Sequence, residues 1–521
     1  MSTPFTITTA ISYPNGRPHI GHAYEAIATD AFARAARMMG RDVFFQTGTD
    51  EHGLKMAQAA RARDITPAEL ADEMSGHFRD MDELLDISCN RFIRTSEPEH
   101  HAASQAIWQA MANNGDLYLD RYEGWYSVRD EAYYDESELT VIEGGEKRSP
   151  QGTPVEWTVE ESWFFRLSAY QDKLLALYNE HPEFIQPESR RNEILRFVEG
   201  GLRDLSISRT SFDWGVKVPG SPEHVMYVWV DALTNYITGC GYPDDKERMS
   251  RYWAEGGDIV HIIGKDIVRF HTVYWPAFLM SAKLPLPKTV FGHGFLLNRG
   301  EKMSKSLGNV ADPGDLARTF GVDPLRYFLL AEVSFGNDGS YSAEAIVHKS
   351  NTELGNAFGN LAQRTLSFIA KNLEGRLPAP APQADDEALL AMVRQVTTVD
   401  MPKSFEALAP HEAIQDWLRA AYACNAYIDA QAPWTLRKTD LVRMEAVLAT
   451  LYEAIGLLAI GIQPVIPSSA ERLLDHMGIA EEFRSYTGAQ DGWYKQLLEG
   501  GFIVAPPQPL FPRLELPADP A

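Results

Sequence analysis

Hydrophobic positions near the start of the chain first alternate with polar ones and then change to helical spacing. Residues 6–13 alternate and are rich in β-branched side chains, which predicts a strand. After a turn at 14–16, alanine, isoleucine and phenylalanine recur every three or four residues from Gly21 to Gly40, which predicts a helix. Residues 43–46 predict a second strand. Strand, helix and strand in this order open a parallel α/β sheet, and such sheets bind ligands beyond the carboxyl ends of their strands.

The pattern changes twice further along the chain. Between about 117 and 225, aromatic, glycine and glutamate residues mix with short strand-like runs, which predicts an inserted, partly β subdomain. The α/β pattern then returns, and after Tyr341 the spacing becomes almost wholly helical, which predicts an all-α bundle. The elements predicted on return are strands at 225–230, 258–264 and 289–295 and a helix at 267–282.

Composition narrows the class of protein. A chain of 521 residues favours two to four domains, and a net charge of −24 argues against coating nucleic acid through bulk electrostatics. This net charge does not exclude local basic patches that bind one folded RNA. The three scattered cysteines suit a reducing cytosol, and the N-terminus lacks the pattern of a signal peptide. The apolar stretch 451–466 is interrupted by polar residues and proline, so we expect a buried helix and no membrane span.

His19, Gly21 and His22 stand where the first turn gives way to the first helix. Gly21 lets a phosphate approach the backbone, the helix start offers free N–H groups, and two imidazoles can donate to phosphoryl oxygens as charge builds. A helix cap with two surface histidines is the plain alternative. A metal site is a further alternative, but no third ligand is evident in a zinc-like pattern.

Lys302, Met303, Ser304, Lys305 and Ser306 form a glycine-flanked run directly after a predicted strand. Mobile ammonium groups on such a loop can close over a triphosphate and neutralise the leaving pyrophosphate. The alternative is a solvated basic turn. The presence of both segments in one chain favours two halves of one ATP site.

These two segments resemble the ATP signature of class I aminoacyl-tRNA synthetases, and the whole chain resembles the methionyl-tRNA synthetases. No single piece decides this; the order and spacing of the pieces do. The further matching pieces are 13–16, 227–232, 264–267 through His271, 292–295 and 432–434. The resemblance implies a Rossmann-like parallel-sheet catalytic domain with an inserted β-containing connective subdomain, followed by an all-α anticodon-binding helical bundle. The expected segments are the catalytic domain in two halves (1–116 and 226–290), the insertion (117–225), the Lys302 loop with a stem-contact region (291–345) and the anticodon-binding domain (346–521).

The resemblance also implies the substrate sites. A thioether offers neither charge nor a strong acceptor, so selection of methionine rests on shape, sulfur–aromatic contact and a few polar groups. Asp50, at a strand end, would hold the substrate ammonium; the family usually has proline where Leu233 stands. An ordinary core is the alternative for Trp229, Tyr236 and Ile267. The implied pocket comprises Ile11, Ser12, Tyr13, Asp50, Trp229, Ala232, Leu233, Tyr236, Ile267 and His271.

Around the nucleotide, the resemblance adds residues on two further segments. Asp266 suits the ribose hydroxyls, whereas Lys265 is either near the nucleotide or part of a surface ion pair. His19, His22, Lys302 and Lys305 would be catalytic, with Lys302 shaping the loop. The full implied ATP set is His19, Gly21, His22, Lys265, Asp266, Gly292, His293, Gly294, Phe295, Lys302, Met303, Ser304 and Lys305, with Mg²⁺ accompanying ATP.

In the helical region, Asn360, Arg364 and Trp434 match the anticodon positions of the family. Unpaired bases are read by stacking on aromatic rings and by polar contacts to their edges, and Asn360 and Arg364 share one helix face. The alternative is a buried tryptophan beside a solvated arginine.

Many relatives carry a zinc knuckle with paired cysteines in the insertion. This chain has Ser127 and Asp130 at the first pair, and no cysteine around 149–152, so we expect no structural zinc.

The implied reaction is methionine activation by ATP to methionyl-adenylate and pyrophosphate, followed by transfer to the 3′ end of initiator and elongator tRNA(Met). A synthetase for another apolar amino acid, a small nucleotidyltransferase and a non-catalytic tRNA-binding paralogue are the alternatives. We expect a cytoplasmic monomer that has no contact with membranes.

Overall fold

The computed structural model describes residues 3–130, 132–142, 144–298, 301–302, 311–490 and 492–517. Its strands are β1 (Pro4–Thr9), β2 (Asp42–Thr49), β3 (Arg91–Arg94), β4 (Leu117–Ser127), β5 (Ala132–Tyr134), β6 (Thr140–Val141), β7 (Lys147–Arg148), β8 (Glu156–Phe165), β9 (Ile185–Gln186), β10 (Leu205–Ser206), β11 (Ser208–Arg209), β12 (Lys217–Val218), β13 (Ser221–Met226), β14 (Ile259–Gly264), β15 (Thr289–His293), β16 (Leu296–Asn298), β17 (Glu301–Lys302) and β18 (Gly339–Tyr341).

The helices include three π-helical segments, at Phe270–Tyr274, Ser350–Gly359 and Val396–Asp400. The α-helices are α1 (Ile20–Met38), α2 (Leu54–Ala62), α3 (Pro67–Leu84), α4 (Pro98–Asn113), α5 (Gln171–Glu180), α6 (Glu188–Glu199), α7 (Val228–Gly239), α8 (Lys246–Tyr252), α9 (Trp275–Ala282), α10 (Pro313–Phe320), α11 (Val322–Glu332), α12 (Ala343–Lys349), α13 (Asn360–Asn372), α14 (Ala384–Gln395), α15 (Met401–Glu406), α16 (Pro410–Gln431), α17 (Pro433–Thr439), α18 (Leu441–Ile462), α19 (Pro467–His476) and α20 (Trp493–Glu499).

Over the described residues, the central sheet has six parallel strands in the order β3-β2-β1-β14-β15-β9. Its carboxyl edge therefore gathers the ends of β1, β2, β14 and β15, where ligands bind in such sheets. An antiparallel sheet in the order β10-β8-β4-β5 stands apart from it. β9, which lies within the range expected for the insertion, pairs with β15 of the central sheet.

One hydrophobic core connects the central sheet to the helical region. It runs from α1 and one face of the sheet through α11 into α16 and α18. A second core covers the other face with α4, α7 and α9. The predicted parallel α/β sheet, partly β insertion and helical C-terminal bundle are confirmed.

One strand prediction was wrong. Residues 225–230 were expected as a strand, but β13 ends at Met226 and α7 starts at Val228. Nearly every residue of α7 is buried, so its apolar run lacks the polar face that distinguishes a helix from a buried strand.

α18 is the one helix, among the residues described, that is long and apolar enough to cross a membrane by length and composition. Within the protein, 89% of its most apolar window is buried. It packs against α14, α16, α17 and α19, as expected of a core helix.

Asp82 on α3 is buried close to Asp30. Burial, followed by the charge of Asp30, raises the pKa of Asp82 to about 8.

Because of this raised pKa, the folded protein keeps a proton on Asp82 that the unfolded chain releases above about pH 4. The stabilising contribution of this group is therefore lost as pH rises from about 4 to 8. We predict that Asp82→Asn, which has no titrating group at this position, does not show this decrease in stability with rising pH. The difference in unfolding temperature, variant minus wild type, should grow from pH 5 to pH 9; a difference that is constant with pH would contradict it.

Candidate active site

The first helix begins with two histidines that cap it. His19 is the N-cap residue, and its Nδ1 accepts from the Gly21 N–H at 3.1 Å, while Nδ1 of His22 accepts from the His19 N–H at 3.1 Å. Because Nδ1 accepts in both neutral rings, the proton lies on Nε2. The two histidines therefore do cap the helix, although both are half-buried, and the ring proton of each lies on Nε2 at the start of a helix, where anions bind.

One turn later, Glu25 connects this helix to two strands. Its carboxylate accepts from the Ala10 N–H at 2.9 Å and lies 2.8 Å from Nε2 of His293 at the end of β15. Burial alone would lower the pKa of His293, but the hydrogen bond and charge of Glu25 raise it above its ordinary value. Sequence reasoning did not single out Glu25; its position three residues after His22, on the same helix face, was the available signal.

Gly292, His293, Gly294 and Phe295 end β15 and lead away from the sheet. A Cβ atom on Gly294 would stand 2.2 Å from the backbone of Asn337, so only glycine allows this close approach. The Phe295 N–H donates to Asp338 at 2.7 Å.

Lys265 follows β14 and binds both oxygens of the Asp338 carboxylate at 2.7 Å. Its Nζ also lies 4.5 Å from the centre of the Phe295 ring. The ion-pair alternative for Lys265 thus describes this structure. The neighbouring Asp266 is exposed at the carboxyl edge of the sheet.

The second ATP segment begins at the same edge. β17, which contains Lys302, pairs with β16, and β16 starts three residues after the end of β15. Met303, Ser304, Lys305 and Ser306 lie outside the described residues.

The expected methionine pocket contains a buried polar pair. Tyr236 on α7 lies 2.7 Å from Nε2 of His271, whose Nδ1 lies 3.0 Å from the carbonyl oxygen of Ile267. Burial lowers the pKa of His271 to about 4, so the ring is neutral near pH 7. Its Nδ1–H donates to Ile267, and Nε2 accepts from the Tyr236 hydroxyl.

Aromatic rings surround this pair. Trp229 stacks on Phe270 with ring centres 3.8 Å apart, and it approaches His271 edge-on at 6.0 Å. Ala232 and Leu233 are buried on the same helix as Tyr236. Phe270 was not predicted, although it directly precedes His271. The ordinary-core alternative fits Tyr236, which is buried, but not the half-buried Trp229 and Ile267.

The remaining expected pocket residues follow β1 and β2. The Asp50 N–H donates to the Ser12 carbonyl at 2.9 Å, and the Ser12 N–H donates to the Gly48 carbonyl at 2.9 Å. Ile11 precedes this pairing, and the Tyr13 hydroxyl accepts from the Met56 N–H at 3.1 Å. The ends of the two strands are thus joined where Asp50 emerges.

Hydrogen-bonding side chains occupy the place of the zinc knuckle. The Asp130 carboxylate accepts from Ser149 at 2.5 Å, from Thr153 at 2.5 Å and from Tyr134 at 3.0 Å. Ser127 bonds Thr153 at 2.6 Å and accepts from the Asp130 N–H at 3.2 Å. No group of three or more histidine, cysteine or acidic side chains that could hold a metal ion occurs in the part of the chain that the structure describes.

The expected anticodon residues lie at one surface. Arg364 is 3.0 Å from Asp429, and its guanidinium carbon is 5.4 Å from the centre of the Trp434 ring. Trp434 is 42% exposed, so the alternative of a buried tryptophan is wrong. Asn360 is exposed one turn before Arg364 on α13.

Comparison with known proteins identifies this arrangement. Residues 5–145 and 146–366 match the family model of class I tRNA synthetases (M), and residues 377–516 match that of the anticodon-binding domain of methionyl tRNA ligase. The fold and the site together therefore define a class I aminoacyl-tRNA synthetase.

Similar proteins narrow the class. The chain is 56% identical to methionine–tRNA ligase of Brucella suis biovar 1 (strain 1330), with 98% of each chain covered. It is 54% identical to that of Mycobacterium tuberculosis (strain ATCC 25618 / H37Rv), with 99% of each covered. A solved structure of M. tuberculosis methionyl-tRNA synthetase in complex with methionyl-adenylate superposes with a TM-score of 0.93 at 53% identity, covering 98% of this chain and 100% of that one.

The chain belongs to the methionyl-tRNA synthetases. It is a methionine–tRNA ligase, which activates methionine with ATP and transfers it to tRNA. This excludes the small nucleotidyltransferase, the synthetase for another apolar amino acid and the non-catalytic paralogue.

Proposed function

We propose that His19 and His22 bind the phosphates of ATP and stabilise the charge that develops when the methionine carboxylate attacks the α-phosphate. The observation that carries this proposal is that both rings stand at the start of α1, where Nδ1 of each accepts a backbone N–H and the ring proton lies on Nε2. The attack forms the carboxyl–phosphate bond of methionyl-adenylate and breaks the bond to pyrophosphate. Without a covalent enzyme intermediate, catalysis rests on positioning and charge stabilisation.

Lys302 and Lys305 would complete the site. β16 begins three residues after β15 ends and pairs with β17, which contains Lys302; this supports an approach of the segment to the nucleotide. Lys305 would neutralise the leaving pyrophosphate, and Lys302 would shape the loop with Met303 and Ser304. Mg²⁺ would enter with ATP as part of the substrate.

The adenosine would lie along Gly292, His293, Gly294 and Phe295. Asp266 at the end of β14 would accept from the ribose hydroxyls. For Lys265 we propose a role through Asp338, because its ammonium already binds both carboxylate oxygens of that residue.

The methionine side chain would enter between Trp229, Tyr236, Ile267 and His271, with Ala232 and Leu233 behind it. A neutral His271 held by Ile267 keeps the Tyr236 hydroxyl in one orientation. Ile11, Ser12 and Tyr13 would form the opposite wall, and Asp50 would bind the ammonium group.

Tyr236→Phe tests this pocket. Removing the hydroxyl leaves buried Nε2 of His271 without its donor and removes a polar group from the pocket, which is worth on the order of 1–3 kcal/mol. We predict that the KM for methionine rises about tenfold and that the KM for ATP is unchanged, as measured by ATP–pyrophosphate exchange.

Tyr178→Phe is the matched control. The buried Tyr178 hydroxyl donates to the Thr272 carbonyl at 2.6 Å, next to His271 but outside the expected pocket. An equal rise in the methionine KM for both variants would mean that packing, not the pocket hydroxyl, sets the KM.

We propose that the surface formed by Asn360, Arg364 and Trp434 reads the anticodon of initiator and elongator tRNA(Met). Trp434 offers an exposed ring, with Arg364 beside it as a cation. Stacking of one base on an aromatic ring contributes about 1–3 kcal/mol.

Trp434→Ala should therefore raise the KM for tRNA(Met) about 10- to 100-fold. Adenylate formation without tRNA should not change, and Trp434→Phe should keep most of the affinity. A tRNA KM that stays within about twofold of wild type in Trp434→Ala would contradict the proposed role.

The remaining proposals concern organisation. We propose the segments 1–116, 117–225, 226–290, 291–345 and 346–521 as given by the sequence, and a cytoplasmic monomer. We also propose an insertion without structural zinc, because hydrogen bonds of Asp130 with Ser149 and Thr153 link the two segments in which relatives carry paired cysteines. Stoichiometric zinc in the purified protein would contradict this last proposal.

A further inference from the structure

A buried carboxylate on α7, the helix that carries several expected pocket residues, stands between two imidazoles. Oδ2 of Asp231 lies 2.6 Å from Nδ1 of His52, and Oδ1 lies 2.7 Å from Nε2 of His100. All three side chains are almost fully buried. Burial alone would raise the pKa of Asp231, but the charge of His52 and the hydrogen bonds of His100 and His52 hold it below its ordinary range. The buried Asp231 carboxylate depends on these two imidazoles, because a buried carboxylate without partners would be strongly destabilising.

The three residues come from three separate elements. His52 lies in the turn after β2, His100 lies on α4, and Asp231 lies in the first turn of α7. His100 is held on its other side, where Nδ1 is 3.0 Å from the Thr238 hydroxyl. Asp231 therefore joins the turn after β2 to α7. His100 of α4 contacts α7 at two points, Asp231 and Thr238.

That turn also carries Asp50, and its other residues are held as well. The Glu51 carboxylate accepts from Arg94 at 2.7 Å and from Thr49 at 2.7 Å, and its N–H donates to Thr95 at 2.8 Å. The indole N–H of Trp214 donates to the Glu51 carbonyl at 2.5 Å.

We propose that Asp231 is a positioning residue for methionine binding, which acts through His52 to hold the Asp50 carboxylate at the site of the substrate ammonium. This inference rests on the ammonium-binding role proposed for Asp50. His52 is the one side chain of residues 49–53 that Asp231 holds, and it stands two residues from Asp50. A misplacement of about 1 Å in a binding group can cost on the order of 10²-fold in rate or affinity.

The same carboxylate also lies within the α7 segment that forms the other wall of the pocket. Asp231 stands between Trp229 and Ala232, and its N–H donates to the Tyr227 carbonyl at 3.4 Å. Asp231 therefore links the turn that carries Asp50 to the helix that carries Ala232, Leu233 and Tyr236.

The test uses Asp231→Asn and His52→Gln in the full-length enzyme. An asparagine cannot accept from both imidazoles, and a glutamine at position 52 loses the ring that reaches Asp231. We expect the methionine KM in ATP–pyrophosphate exchange to rise about tenfold or more in both variants, with kcat and the ATP KM within about threefold of wild type.

His101→Gln is the matched control. The His101 ring packs edge-on against His52 at 5.2 Å, on the same helix as His100, so it shares the environment. We expect its methionine KM to equal that of wild type. A rise in His101→Gln as large as in His52→Gln would overturn the proposal in favour of general packing.

A second readout separates positioning from structure. 4-(Methylsulfanyl)butanoic acid is methionine without its ammonium group, so its inhibition constant does not depend on Asp50. We expect this constant to be within about twofold of wild type in His52→Gln while the methionine KM rises about tenfold. Equal losses for both compounds would overturn the proposal. Should Asp231→Asn fail to fold, His52→Gln decides alone.

Asp50→Asn distinguishes failure of the ammonium-binding role of Asp50 from failure of the positioning role of Asp231. An unchanged methionine KM in Asp50→Asn would reject the ammonium role of Asp50 and this inference with it. A raised KM in Asp50→Asn together with unchanged values in Asp231→Asn and His52→Gln would reject the positioning role alone.

Discussion

His19→Asn should lower the rate of methionyl-adenylate formation by about 10²–10³-fold, the usual effect of removing one donor to a developing oxyanion. Nδ1 of His19 is used by the Gly21 N–H, so the contribution that we propose for His19 comes from Nε2–H. An asparagine side chain is too short to supply that donor. The affinity for methionine should stay within about threefold of wild type, because the pocket lies elsewhere. Single-turnover adenylate formation at saturating methionine and ATP measures the effect.

His19→Ala separates catalysis from helix capping. Asparagine is among the best N-cap residues, whereas alanine loses the cap at a cost of about 1 kcal/mol. Both variants should lose the same factor in rate, and only the alanine variant should lose stability. A His19→Asn enzyme with an undiminished rate would leave His19 as a helix cap and nothing more.

Arg326→Met should destabilise the junction of the catalytic sheet with the helical region by about 3–5 kcal/mol, the usual effect of removing one partner of a buried ion pair. Arg326 on α11 is fully buried and binds Asp30 of α1 at 2.6 Å. It also donates to the carbonyl groups of Leu85, Pro464 and Val465 at 3.0–3.1 Å. Methionine fills the space but supplies none of these bonds. Hydrogen exchange of α11 and α19 amides should report the loss.

Arg318→Met is the control for this substitution. Arg318 pairs with Asp315 at 2.7 Å, but both side chains are more than 60% exposed. Exposed pairs contribute about 0–1 kcal/mol, so exchange should hardly change. Equal hydrogen exchange in Arg326→Met and Arg318→Met would show that Arg326 contributes no more to stability than an exposed arginine.

The opening strand, helix and strand were predictable because their hydrophobic periods differ and turns separate them. The same reasoning failed at 225–230, where α7 is buried on nearly every side and presents no polar face. Nor does local pattern show that β9, two residues long, joins the edge of the central sheet, because that pairing depends on residues a hundred positions away.

Some residues of the candidate site could likewise be predicted from the sequence, and others could not. His19 and His22 could be singled out because their spacing coincides with a helix start, whereas Tyr236 and His271 were implied only by the resemblance to the family. Glu25 and Asp231 could not. A single carboxylate on a helix has many uses, and only the fold brings His293 to Glu25 and His52 to Asp231.

The proposed function requires that the His19–His22 and Lys302–Ser306 segments form one ATP site that serves a methionine pocket. ATP–pyrophosphate exchange by wild type and Lys305→Ala, across methionine, leucine, valine and isoleucine, tests it most directly. We expect exchange with methionine alone, and in Lys305→Ala a rate lower by about 10²-fold or more with an unchanged methionine KM. Exchange with leucine or valine but not methionine, or an undiminished rate in Lys305→Ala, would contradict it.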